Sequence, residues 1–465
     1  MRIVIAGAGQ VGVELARRLI QEKHDVSLIE PHEERARHAS NRLDCLVLHD
    51  QANRLESLEQ AGVKKAGALV AVTDSDELNI IICGMASSLN PKLTAIARVR
   101  NGGYARLNLG VDHVINPDVE AARSVLNAVE RGVLGDILSF TGTPYEMGAV
   151  DVSPASPFDG LAIKDFHSLI EGESLVALAD RQGASILPTG TTVLQRGDRI
   201  YVLAREAALA QIFKLAGRTP QPLRKIGVAG GGRLGSLIAE GLLESGPAKK
   251  HPFFAFLKNL SPRKRRITII EEDYRRCKEL AARFPDALIL NEDISDESFV
   301  AEERLGGLDL VITAAERQEM NIITAVYLKS KGVARTIALV TGSGYAMIAR
   351  QLGVDVVIPI KTAVVDSILS RLLGEGIKGI HRIGDSSIGV LDIETGPRAP
   401  VIDKPLREFR LSEGGLVMLI YRDGASFIPR GDFVFQAGDR VVLIAKNGSE
   451  GEIGRLFDVP LLGQR

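Results

Sequence analysis

A strand, glycine turn and helix pattern that occurs twice limits what this chain can fold into. Residues 2–19 read RIVIAGAGQVGVELARRL, and residues 225–242 read KIGVAGGGRLGSLIAEGL. In each segment an apolar run leads through Gly-x-Gly-x-x-Gly into apolar residues at helical spacing, which predicts a phosphate-binding turn at a helix N-terminus. The six glycines are Gly7, Gly9, Gly12, Gly230, Gly232 and Gly235.

An acidic residue follows the next apolar run after each glycine turn. Glu30 follows DVSLI in the first copy, and Glu271 follows ITII in the second. A dinucleotide-binding fold places here the carboxylate that accepts a hydrogen bond from a ribose hydroxyl, and an acid favours NAD over NADP. A single glycine turn can be purely structural, but two turns with two acids favour nucleotide binding.

The repeat extends over the whole chain. Gly7 and Gly230 are 223 positions apart, whereas Asn79 and Asn321 are 242 positions apart. The chain is therefore one unit of about 220 residues written twice, with an insertion in the second copy at 247–266.

Predicted strands alternate with predicted helices, and short apolar runs separated by turn residues follow them. This order predicts an α/β fold with two Rossmann-like, doubly wound parallel sheets, each followed by a small α+β domain. The predicted boundaries are 1–134 for the first Rossmann-like domain, 135–217 for the first small domain, 225–372 for the second Rossmann-like domain with the basic insertion 247–266, and 373–465 for the second small domain.

Polar residues follow the predicted strands at the edge where a doubly wound sheet binds its ligand. Arg98 interrupts an apolar strand, so we expect it to face either a bound phosphate or an internal carboxylate, Glu30 or Asp112. The first predicted site comprises Gly7, Gly9, Gln10, Gly12, Glu30, Asp50, Gln51, Thr73, Asp74 and Arg98. The second comprises Gly230, Gly232, Arg233, Gly235, Glu271 and Asp293.

Composition disfavours several other classes of protein. The net charge of −1 over 465 residues gives no positive field that would recruit nucleic acid, so we expect no nucleic-acid partner. The three cysteines are isolated and Met1 leads directly into a predicted strand, which points to a reducing cytoplasm. No apolar run approaches the roughly 18 residues that span a bilayer.

We predict no metal site and no catalytic residue, because the eight histidines do not pair with acids at a recognisable spacing.

The duplicated arrangement resembles the RCK regulators of potassium channels and transporters, whose repeats are called KTN or TrkA-N and TrkA-C. The resemblance covers essentially the whole chain. Besides the glycine turns and the two acids, it rests on Thr73-Asp74-x-Asp76-Glu77-x-Asn79 and on the turns Gly197-Asp198 and Gly438-Asp439.

The resemblance implies a cytoplasmic protein, peripheral on the inner membrane, that binds NAD(H), with ATP or ADP as alternatives. It implies a homo-oligomeric ring, expected to be a tetramer, that gates a membrane potassium-translocating subunit of the TrkH or TrkG kind without turning over a substrate. The alternatives are a regulator of another potassium channel or of an efflux antiporter, and an NAD-dependent dehydrogenase. A dehydrogenase would need an acid, a base or a metal beside the nicotinamide.

Departures from the family pattern predict that the two sites differ. The end of the third strand, where the family has Gly-Asp near the adenosine, reads Asp50-Gln51 in the first copy and Glu292-Asp293 in the second. Ala315 and Leu339 stand where the first copy has Thr73 and Arg98, so we expect the first site to bind nucleotide more securely. The basic insertion 247–266 is interpreted as a surface excursion or as a contact with anionic lipid or the transporter.

Overall fold

The structure of the chain is a computed structural model. The structure describes residues 1–21, 23–104, 110–130, 137–140, 143–154, 156–217, 223–244, 265–372, 377–382, 388–409, 414–446 and 449–459. The predicted insertion 247–266 lies almost entirely outside the described residues.

The first part of the chain forms a six-stranded parallel sheet. Its strands are β1 (Arg2–Ala6), β2 (Asp25–Glu30), β3 (Leu46–His49), β4 (Ala68–Ala71), β5 (Thr94–Arg98) and β6 (His113–Ile115). The helices are α1 (Gln10–Gln21), α2 (Glu33–Ser40), α3 (Leu55–Gln60), α4 (Asp76–Leu89) and α5 (Pro117–Glu130). The strand order β3-β2-β1-β4-β5-β6 reverses direction between β1 and β4, and a ligand binds at such a switch point in this class of sheet.

A five-stranded antiparallel sheet follows. Its elements are β7 (Ile137–Ser139), β8 (Tyr145–Asp151), β9 (Ser174–Arg181), β10 (Ala184–Ile186), β11 (Arg199–Arg205) and α6 (Glu206–Leu215), in the strand order β10-β9-β11-β8-β7. The repeated arginine and Gly-Asp spacing has a structural role here. Arg181 donates two hydrogen bonds to the buried carboxylate of Asp198, at 2.8 and 2.7 Å.

The second copy repeats the parallel sheet. Its strands are β12 (Lys225–Ala229), β13 (Arg266–Glu271), β14 (Leu288–Asn291), β15 (Leu310–Thr313), β16 (Thr336–Val340) and β17 (Val356–Pro359). Its helices are α7 (Arg233–Glu244), α8 (Tyr274–Arg283), α9 (Glu297–Glu302), α10 (Gln318–Ser330), α11 (Ser343–Gln351) and α12 (Ile360–Leu372). The order β14-β13-β12-β15-β16-β17 is that of the first sheet.

The second antiparallel sheet is also five-stranded. It contains β18 (Ile377–Arg382), β19 (Ile388–Glu394), β20 (Gly415–Arg422), β21 (Ala425–Phe427) and β22 (Arg440–Lys446), followed by α13 (Glu450–Leu456). The predicted fold class is confirmed by these four sheets.

The helix that follows each parallel sheet packs on the other parallel sheet. Val125 and Val129 of α5 lie in one buried cluster with Ile226 of β12. Val365 and Ile368 of α12 lie in another, with strand β1 and helix α1 of the first sheet. Each helix carries an apolar face that removes a sheet face from water.

The chain therefore divides into two compact units, one of which is formed by two separate segments of the sequence. One contains residues 1–117 and 361–465, and the other contains residues 118–360. The boundaries predicted at 134 and 372 describe the repeat in chain order and stay a prediction.

Candidate nucleotide-binding sites

The first glycine turn connects β1 to α1 and has little room for side chains at two of its three glycines. Gly7 has φ +108°, and its N–H donates a 2.9 Å hydrogen bond to the carbonyl of Ile29. A Cβ at Gly12 would lie 1.9 Å from the carbonyl oxygen of Gly7. A Cβ at Gly9 would meet no described atom within 4 Å. The protein itself would therefore accept a side chain at Gly9, and a glycine is needed there only if a ligand approaches the backbone closely.

Glu30 ties the glycine turn to the end of β2. Its carboxylate is buried and accepts hydrogen bonds from the N–H groups of Ala8 at 2.7 Å and His32 at 3.0 Å. Each carboxylate oxygen has a further lone pair, so these bonds still leave Glu30 able to accept from a ribose hydroxyl. Glu30 thus has a structural role in addition to its predicted contact with a ribose.

A buried asparagine joins the ends of β4 and β5. The side chain of Asn79 accepts from the N–H of Thr73 at 2.9 Å and from its hydroxyl at 2.7 Å. It donates to the carbonyls of Thr73 at 3.1 Å and Arg98 at 2.8 Å. The recurrence of this asparagine as Asn321 was the sequence signal for its importance, although neither residue was predicted as part of a site.

Arg98 is nearly buried at the end of β5. Burial, with the positive charge of Arg100, lowers its pKa, while Asp74 acts in the opposite direction. The Arg98 guanidinium lies 3.6 Å from the exposed carboxylate of Asp74 and donates to the carbonyl of Thr73. The predicted alternative of an ion pair with Glu30 or Asp112 is wrong, because the carboxylate beside the guanidinium is that of Asp74. Glu30 and Asp112 accept hydrogen bonds from backbone N–H groups.

The residues at the end of β3 make contacts of their own. Asp50 accepts hydrogen bonds from the Ser57 hydroxyl at 2.6 Å and the Gln51 N–H at 2.7 Å, and these bonds lower its pKa. Gln51 is exposed. Their predicted place near the adenosine end of a ligand stays a prediction.

A lysine that was not predicted lies at the first glycine turn. The ammonium group of Lys361, the second residue of α12, donates a hydrogen bond to the side-chain oxygen of Gln10. Burial, and then the charge of Arg98, lowers the pKa of Lys361, while Asp74 raises it. The sequence could not place it here, because Lys361 is 351 positions from Gln10 and follows the second sheet.

The second glycine turn has the geometry of the first. Gly230 has φ +103°, and a Cβ at Gly235 would lie 1.9 Å from its carbonyl oxygen. Glu271 accepts from the N–H groups of Gly231 at 2.7 Å and Asp273 at 3.0 Å. A Cβ at Gly232 would have the guanidinium of Arg276 as its nearest neighbour, at 3.7 Å.

The polar rim of the second site differs from that of the first. Asn321 binds the N–H and the carbonyl of Ala315 and the carbonyl of Leu339, so these two apolar residues hold the places of Thr73 and Arg98.

The predicted cation and acid of the second site are already engaged. Arg233 lies 3.0 Å from the carboxylate of Asp118 on α5. Asp293 accepts from the N–H and hydroxyl of Ser295 at 2.9 and 2.7 Å. Cationic and acidic groups are thus present at this site, but they bind other protein groups.

The described residues contain no cluster of three or more His, Cys, Asp or Glu side chains suited to a metal ion. None of the helices that the structure describes has the length and apolar character needed to cross a membrane.

Comparison with known families assigns both halves of the chain. The TrkA-N domain model matches residues 3–117 and 254–360, and the TrkA-C domain model matches residues 147–217 and 390–458. The chain belongs to the TrkA-N and TrkA-C family. The predicted resemblance is confirmed. Both TrkA-N matches end where α5 or α12 begins, and we call these two the exchanged helices because each packs on the parallel sheet of the other copy.

Members of this family resemble the chain over its full length. The Trk system potassium uptake protein TrkA of Azorhizobium caulinodans is 27% identical over 471 residues, which cover 99% of this chain and 99% of that protein. A TrkA homolog of Archaeoglobus fulgidus is 28% identical over 465 residues, covering 98% of this chain and 100% of that protein.

Solved structures share the TrkA-N and TrkA-C fold. A GsuK channel bound to NAD matches with a TM-score of 0.54 and 18% identity, covering 100% of this chain and 79% of that chain. The GsuK RCK domain matches with a TM-score of 0.54 and 18% identity, covering 99% and 95%. Two Rossmann-like sheets, each followed by a small antiparallel sheet, are therefore an established architecture.

Proposed function

We propose that this chain is a nucleotide-binding regulatory subunit of a Trk-type potassium-uptake system. The observation that carries the proposal is the first glycine turn, whose tight packing at Gly7 and Gly12 leaves open space beside Gly9. Full-length similarity to proteins named Trk system potassium uptake protein TrkA supports the link to potassium transport.

The first site has the donors and acceptors that NAD(H) requires. The pyrophosphate of the ligand lies over the N-terminus of α1, where free N–H groups and the helix dipole favour negative charge. Glu30 accepts from the adenosine ribose, and Asp50 and Gln51 lie toward the adenine. Thr73, Asp74 and Arg98 form the rim. ADP and ATP present the same adenosine and phosphate groups and are the alternative ligands.

The ligand acts as an effector and is not consumed. A dehydrogenase needs a proton donor or acceptor beside the nicotinamide, and the rim residues Asp74 and Arg98 bind each other. Ligand occupancy instead biases the conformation of a homo-oligomeric ring, a tetramer, on the cytoplasmic face of the inner membrane. The partner in the membrane is a potassium-translocating subunit of the TrkH or TrkG kind.

Paired substitutions at the open glycines test the proposal. NADH, NAD, ADP and ATP are titrated calorimetrically into the full chain and into Gly9→Val and Gly232→Val. A Cβ atom fits at both glycines, so we expect both variants to fold and each to block one turn. We expect Gly9→Val to abolish the tighter binding event and Gly232→Val to preserve it.

A cellular assay then connects binding to transport. A strain lacking the gene is complemented with the wild-type chain or with Gly9→Val, and growth is followed at limiting potassium. We expect Gly9→Val to alter potassium uptake. Nucleotide binding with no effect on potassium uptake would point to another potassium channel or antiporter, and product formation from NADH would point to an enzyme.

A further inference from the structure

The exchanged helices α5 and α12 bring opposite charges to the two glycine turns. Asp118 and Lys361 are each the second residue of their helix. Each contacts the residue that follows the second glycine of the Gly-x-Gly-x-x-Gly turn, which is Arg233 for Asp118 and Gln10 for Lys361. The contact in the first site is an ammonium group on a neutral amide. The contact in the second site is a carboxylate on a guanidinium.

Helix α12 therefore adds a positive charge at the first phosphate turn. Arg98 is nearly buried, and its positive charge lowers the pKa of Lys361, so the two cations repel each other. Asp74 raises the pKa of both groups and Asp76 raises that of Arg98, but the Asp74 side chain is 83% exposed and also lies 3.9 Å from Arg35. A phosphoryl group beside Lys361 and the glycine turn would relieve this repulsion by forming charge-assisted hydrogen bonds.

In the second site each cation near the turn has its own carboxylate. Arg233 is 3.0 Å from Asp118, and Arg276 is 3.8 Å from Glu271. Leu339 replaces the buried arginine of the first site. A phosphate that approached this turn would have to compete with Asp118 and would be repelled by it.

We propose that Lys361 and Asp118 set the ligand preference of the two sites, so that the first selects the diphosphate group of a nucleotide and the second selects against it. The proposal rests on the proposed nucleotide-binding function and adds two residues to it. The residues lie outside both TrkA-N matches, because each stands on an exchanged helix.

The test measures ADP and inorganic pyrophosphate binding by calorimetry in the full chain. First-site residues are tested in a Gly232→Val background, and second-site residues in a Gly9→Val background. Lys361→Met is expected to weaken both probes roughly tenfold, as loss of a charge-assisted hydrogen bond does, and Lys361→Arg to restore most of the affinity. Lys92→Met removes an exposed positive charge from the same compact unit and is expected to have no effect.

The second site provides the opposite expectation. Asp118→Asn leaves Arg233 with a neutral partner, so affinity for pyrophosphate should rise, and Asp118→Lys should raise it further. Added salt should reduce this gained affinity, because it depends on charge.

The outcomes separate the inference from the proposed function. If ADP binds to the wild-type chain and Lys361→Met and Asp118→Asn leave its affinity unchanged, the inference is wrong and the proposed function stands. If neither ADP, NADH nor pyrophosphate binds to the wild-type chain, both are wrong. Binding that depends on Lys361 without any effect of the nucleotide on potassium uptake supports the inference alone.

Discussion

Arg18 and Asp366 are 348 positions apart in the sequence, yet the guanidinium of Arg18 donates a 2.5 Å hydrogen bond to the carboxylate of Asp366. Arg18 is almost buried and also binds Glu14 at 3.1 Å on its own helix. This ion pair lies beside the apolar contacts that hold α12 on the first sheet. A helix that follows the second parallel sheet in the sequence is thus part of the core of the first sheet.

Removing core volume from α12 should destabilise the first sheet. Ile368 is fully buried, and Ile368→Ala is expected to cost about 2–5 kcal/mol because it leaves a cavity. Hydrogen exchange of backbone amides should accelerate in β1 and β2 and stay unchanged in β12. Val125→Ala on α5 is the matched variant and should affect β12 instead. Faster exchange in β12 after Ile368→Ala would contradict the exchanged packing.

The glycines of the first turn should separate into structural and ligand-facing positions. Gly12→Ala places a Cβ against the carbonyl of Gly7 and is expected to cost about 1–3 kcal/mol or more. Gly9→Ala has open space and should change the free energy of unfolding by less than about 0.5 kcal/mol. Urea unfolding of the two variants checks this. Equal losses of stability would show that the space beside Gly9 is not available.

Asn79 should matter more to the first site than the threonine that it binds. Asn79→Ala leaves buried backbone groups at the ends of β4 and β5 without their partner, which costs about 1–3 kcal/mol. Asn321→Ala makes the same change in the second copy and should have a similar cost. Thr73→Ala should cost less, since Ala315 holds that position in the second copy. Thermal unfolding compares the three variants, and a larger loss for Thr73→Ala would refute this role of Asn79.

The first antiparallel sheet should lose stability in acid because of Asp198. Burial alone would raise the pKa of this carboxyl, but hydrogen bonds from Arg181 and from the Gln195 N–H hold it below its usual value. A depressed pKa in the folded state gives stability that is present above the unfolded value of about 3.9 and is lost as the pH falls through the folded pKa.

The measurement is urea unfolding between about pH 5 and pH 3, followed by hydrogen exchange in β9 and β11. Asp198→Asn should be less stable than the wild type at pH 5, and the difference should shrink as the pH falls. A difference that does not depend on pH would mean that the carboxyl keeps its ordinary pKa.

Much of the fold could be predicted from the sequence because it depends on short-range patterns. The order of strands and helices follows from the period of apolar residues, and the turn at Gly7 follows from a backbone conformation that glycine adopts most easily. The repeat also predicts that Ala315 and Leu339 occupy the positions in the second copy that Thr73 and Arg98 occupy in the first. The partner of Arg98 did not, since several carboxylates were within the same predicted region and only the folded chain places Asp74 beside it.

The sequence by itself determined that this chain has two parallel sheets with two glycine turns, and that the turns have different polar rims. Only the tertiary structure decided which sheet α5 and α12 cover. The two sheets come from one repeated pattern, so an apolar helix face fits either of them, and local sequence does not choose between them. That choice places Lys361 at the first turn and Asp118 at the second, so the two helices bring charges of opposite sign to the two sites.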